Sequence, residues 1–223
     1  MTGGAILAAL PLAVGLALAA LPVTLIPIAL AAKRPPVVAR AFLLGWLLGI
    51  AVVGTVVIVL ADVLVLPSGE LAWFGYAKIV IGLVLIVLAG RRWLSRPRAG
   101  EDPPVPGWLA SVDAMGAGRA FGLALLLAGL NPKNLALVLA GALTIAETTP
   151  VPGQQAVALA VFTVIGSVGV AAPPVLTLVL GNRSGPLLRS VDEWMTRQST
   201  VIVAAVLLVL GVVLIVNGVT ALG

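Results

Sequence analysis

Six long apolar stretches, separated by short polar segments, dominate the chain. They fall at about 6–32, 41–61, 76–94, 121–143, 155–180 and 200–222. A helix needs about 20 mostly apolar residues to cross a bilayer. The pattern therefore predicts an all-α integral membrane protein of six transmembrane helices. The first stretch has no basic leader, because Met1-Thr2-Gly3-Gly4 is uncharged, and it is longer than a signal-peptide core. It reads as a retained span.

The polar segments alternate in charge. Lys33, Arg34 and Arg40 follow the first span, and Asp62 and Glu70 the second. Arg91, Arg92, Arg96, Arg98 and Arg119 lie between spans three and four, and Glu147 between four and five. Arg183, Arg189 and Arg197 precede the sixth. Basic segments stay on the cytoplasmic side. The expectation is a multi-pass protein of the inner (plasma) membrane with both termini outside.

The segment 95–118 carries Glu101-Asp102-Pro103-Pro104 and several glycines, so it reads as a cytoplasmic linker between 1–94 and 119–223. Trp108, Leu109, Val112 and Met115 follow helical spacing within it. They fit either a short interfacial helix or a loop packed by its tryptophan.

The two halves resemble each other. The run 15–22 parallels 124–132, which sets Leu16 opposite Leu125 and Pro22 opposite Pro132. Gly49 falls opposite Gly166, and the run 87–90 opposite 208–211. Each half carries three spans, so the second enters the membrane inverted. A 3+3 inverted repeat is a transporter architecture, with the site at the repeat interface near midplane.

Proline placement singles out the site. Pro22 and Pro27 predict a break in span one, Pro132 in span four, and Pro173 with Pro174 in span five. Broken backbone at membrane depth belongs where it is buried or lines a cavity. The break in span four coincides with Asn131, Lys133 and Asn134, and Thr24 lies opposite Asn134 in the repeat. A lysine at the bilayer centre costs about 3 kcal/mol on insertion scales. No acid in the sequence falls at its depth, so Lys133 is hydrated, deprotonated or awaiting an anion. The alternative role is to cap carbonyls freed by the proline. Lys133, Asn131, Pro132, Asn134, Thr24 and Pro22 are the candidate substrate-binding residues. Thr163 and Ser167 share a face of span five and read as packing positions. Lys78 is expected to snorkel to the outer surface.

Composition narrows the function. The chain has 223 residues, 61% hydrophobic and 9% charged, against about 25% charged in a soluble domain. It holds no cysteine and no histidine. That excludes disulfides, Cys–His and Ser–His catalysis and the commonest transition-metal ligands. No metal or cofactor is expected, and an enzyme is the least expected class. The net charge of +5 comes from loop residues rather than a basic stripe with aromatics, which argues against nucleic acid. No phosphate-binding Gly-rich motif occurs, which argues against direct ATP use.

The segment Pro106-Gly107-Trp108-Leu109, Asp113, Gly118-Arg119-Ala120 and Gly129-Leu130-Asn131-Pro132-Lys133-Asn134-Leu135 resembles the GAP family. Its members are the glycopeptidolipid-addressing and sulfolipid-addressing proteins of bacteria with complex lipid envelopes. The family is similar to the lysine-exporter superfamily, whose members also carry an Asn-Pro-Lys break. The resemblance implies an inner-membrane protein that helps move anionic lipid or glycolipid outward. A small-solute exporter of amino acids or organic anions is one alternative. A non-transporting scaffold for a lipid-synthesis or export partner is another. Gly45 with Gly49, and Gly82 with Gly90, suit either a homodimer or internal packing.

Overall fold

Leucine and alanine fill the apolar runs, and both favour helix. In lipid every backbone polar group must also find its partner within the protein. The computed structural model describes residues 2–19, 36–64, 72–94, 115–180, 184–220 and 222. Regular structure among them is helical throughout, with no strand. The helices are α1 (Thr2–Ala19), α2 (Pro36–Leu64), α3 (Ala72–Leu94) and α4 (Ala117–Gly129). They continue with α5 (Pro132–Thr148), α6 (Pro152–Gly166), α7 (Val168–Leu180) and α8 (Ser184–Thr220).

By length and apolar content, Thr2–Ala19, Pro36–Asp62 and Val203–Thr220 can each cross a membrane. Helices α4 and α5 form a further candidate as one bent pair, with an angle of 63° at the break. With the apolar composition, these helices define an integral membrane protein. Leu44, Val80, Val87 and Val209 point outward from the bundle, an apolar exterior suited to lipid.

Three pairings organise the bundle: α3 lies along α8, α2 along α4, and α1 against both α5 and α6. Glycines permit the first two. A β-carbon at Gly82 would sit 2.7 Å from the Gly211 carbonyl oxygen, and one at Gly211 would sit 2.8 Å from that of Gly82. Gly75 and Gly218 repeat the arrangement one heptad away, at 2.9 and 2.7 Å. On α2, a β-carbon at Gly45 would meet the Phe121 carbonyl oxygen at 2.2 Å, and one at Gly49 the Leu125 carbonyl oxygen at 2.9 Å. Gly45, Gly49 and Gly82 therefore serve internal packing, while Gly90 faces open space. Trp46 and Phe42 of α2, Leu16 of α1, Leu85 of α3 and Phe162 of α6 fill the core.

Span five is interrupted elsewhere than expected. Helix α7 continues through Pro173 and Pro174, and the interruption falls at Ser167, between α6 and α7. Gly166 is a weak helix former, and a β-carbon there would sit 2.7 Å from the Leu16 side chain. The Ser167 hydroxyl donates to the Thr163 carbonyl at 2.6 Å, a bond that competes with the backbone ladder. Span six is the end of a longer helix, because α8 starts at Ser184 and runs 37 residues. The expected breaks at Pro22 and Pro27, Thr24, and the interfacial helix of the linker lie outside the described residues, apart from buried Met115.

Candidate functional site

Asn131 takes an extended conformation and ends the helical path of α4, and Pro132 opens α5 at a position that needs no backbone donor. Ala128 thereby loses its usual partner. The two helices are tied across the break by Asn134, whose side-chain amide donates to the Leu127 carbonyl at 2.9 Å. The other amide atom of Asn134, Oδ1, is buried without a partner. Asn134 is fully buried and joins the two helix ends, whereas Pro132 is exposed.

Lys133 follows on the first turn of α5 and is 6% exposed. Its ammonium donates to the carbonyl oxygen of Ala19, the last residue of α1. An ammonium carries three donors. Among the described residues this is its one hydrogen-bond partner.

The rest of its surroundings is an open cleft of about 320 Å³, lined by Leu88, Arg91, Arg92, Asn131, Lys133 and Leu207. Among the described residues no carboxylate lines it. The cleft is shared between the last turn of α3, the α4–α5 break and the middle of α8. Arg91 and Arg92 stand in the last turn of α3, where a helix end favours positive charge. Arg92 is half-buried and repels the Lys133 ammonium across the cleft. The volume suits a head group or small anion rather than a whole lipid. Chemically the site offers convergent donors and positive charge, with leucines on its walls.

The structure thus brings Lys133 and Asn131 together and turns Pro132 and Asn134 to supporting the break. It adds Arg91 and Arg92, which sequence reasoning had assigned to membrane orientation alone. Their signal was position: both directly abut the apolar run of span three.

Lys78 corrects another expectation. It is 8% exposed and forms an ion pair with Glu147, rather than snorkelling to the surface. Glu147 at the end of α5 can reach it because α3 and α5 touch. Nearby elements carry a second polar contact, in which the Gln155 amide donates to Asp62 at 3.1 Å and to the Thr149 carbonyl at 3.0 Å. Among the described residues no cluster of His, Cys, Asp or Glu could hold a metal ion.

An apolar helical bundle with a basic cleft at a broken helix is the class that fold and site define. The family model described as Sap, sulfolipid-1-addressing protein, matches residues 10–220, and the chain belongs to this family. The match agrees with the resemblance to the addressing proteins. No curated protein and no solved structure matches the chain.

Proposed function

We propose that this protein moves an anionic lipid or glycolipid toward the outer face of the membrane, with the head group held near Lys133. The observation that carries the reading is the Lys133 ammonium, buried at a helix break and opening on a cleft that no carboxylate lines among the described residues. A buried cation with spare donors calls for an anion, and the protein supplies none there. Membership in a family named for addressing sulfolipid-1 supports a lipid as the source of that anion.

The architecture in this reading is six spans in two inverted halves, with α6 and α7 together as span five and α3 as span three. Reciprocal contacts support the inversion. The repeat sets Leu16 opposite Leu125 and Gly49 opposite Gly166. Gly49 packs on Leu125, and Gly166 packs on Leu16. The contacts Gly75 with Gly218 and Gly82 with Gly211 run α3 and α8 antiparallel, as the third helices of two inverted halves would be.

The test is Lys133→Ala in the native host. The expected result is a protein that inserts and folds normally while surface delivery of the anionic envelope lipid is lost. Normal delivery by this variant would sink the proposal. A saturable flux of a water-soluble organic anion into inverted vesicles would favour a small-solute exporter. Purified protein that moves no lipid in liposomes, yet co-purifies with a lipid-synthesis enzyme, would favour a scaffold.

A further inference from the structure

The α3–α5 contact has two charged ends. At one end Lys78 of α3 pairs with Glu147 of α5. At the other end Arg92 of α3 faces Lys133 of α5 across the cleft. On each helix the two charged residues are fourteen positions apart, about 21 Å of helix. The same two antiparallel helices therefore carry opposite charges at one end and two cations at the other.

We infer that Arg92 and Lys133 form a two-cation clamp for one oxyanion, held in the cleft that both residues line between α3 and α5. This inference rests on the reading that Lys133 takes an anion. It adds a residue from the other half of the chain and a requirement that both cations act on one group. The donor sets are complementary. Arg92 offers a planar fork suited to two oxygens of one group. Lys133 has donors beyond the one given to Ala19. Asn131 adds a side-chain amide at the rim. An oxyanion with three free oxygens, such as a phosphate or sulfate ester, can engage all three residues at once. Leu88 and Leu207 receive the apolar part next to the head group. Bound there, the anion places a negative charge between the two cations.

The experiment uses the full chain in detergent and follows binding of dihexanoyl phosphatidic acid, with dihexanoyl phosphatidylcholine as the neutral control and inorganic phosphate as competitor. Binding of the acidic lipid is expected to fall about tenfold in both Arg92→Gln and Lys133→Gln, the scale of one charge-assisted hydrogen bond. Arg92→Lys, which keeps the charge but not the fork, should bind more weakly than wild type and more tightly than Arg92→Gln. The double variant should lose less than the product of the single losses, because both residues hold one group. Thermal midpoints near wild type in all variants separate lost contacts from lost fold.

If Lys133→Gln weakens binding and Arg92→Gln does not, the clamp is wrong while the Lys133 reading stands. If neither changes binding, both fail. Inorganic phosphate that binds as tightly as the lipid would keep the clamp and overturn the lipid as its ligand.

Discussion

Lys78 and Lys133 are both buried lysines, on helices that touch, and they are accommodated in opposite ways. Lys78 has a carboxylate partner supplied by the fold, Glu147. Among the described residues Lys133 has a backbone carbonyl and a cleft that it shares with other cations. A buried charge must be paired or hydrated. The first lysine is satisfied within the chain, so it holds α3 to α5. The second is left with capacity to spare, which is the condition for a ligand. The residue type is the same, and the neighbours decide the role.

This contrast can be broken most directly through function. Lys133→Met should reduce surface lipid delivery at least tenfold, on the order of one lost charged contact. The double variant Lys78→Met with Glu147→Leu should deliver lipid within about twofold of wild type, because a buried pair can be exchanged for apolar residues at little cost. A delivery assay in which both variants fail equally would erase the distinction.

Stability should show the reverse order. Glu147→Gln strands the Lys78 ammonium and should cost about 3 kcal/mol, the lower end for breaking a buried pair. Thermal inactivation in detergent reads this as a clear fall in midpoint. A smaller effect follows from Asn134→Ala, which frees the Leu127 carbonyl and should cost about 1 kcal/mol. The smallest belongs to Lys133→Gln, expected to stay within about 1 kcal/mol of wild type, since a lost bond to Ala19 is offset by a lost buried charge. Should Lys133→Gln destabilise more than Glu147→Gln, Lys133 would be a structural cap and nothing further.

Much of this was legible in the sequence, for a physical reason. Apolar runs of bilayer length must be helical, and an Asn-Pro-Lys inside one must break it. Gly49 and Gly166 were also readable as close-contact positions, because such contacts tolerate few residue types. Long-range partners were not. Lys78 and Glu147 are 69 positions apart, and nothing local marks either as half of a pair. Arg91 and Arg92 were hidden by a sound rule, since residues that orient a span can also line a cleft. The interruption at Ser167 lost out to two prolines that looked stronger. Helix α7 accommodates them, while Gly166 and Ser167 weaken the chain where Leu16 presses in.

The glycine contacts between α3 and α8 carry one more consequence, for mechanics. Each backbone lies where the other's β-carbons would stand, and Ile79, Ile86 and Ile215 fill the spaces beside the glycines. Sliding one helix along the other would drive isoleucine side chains into peptide groups. The two helices therefore behave as one stiff strut that carries Arg92 and Leu207 together. If the cleft changes shape during a transport cycle, the displacement has to come from the α4–α5 elbow, where the polypeptide is already bent.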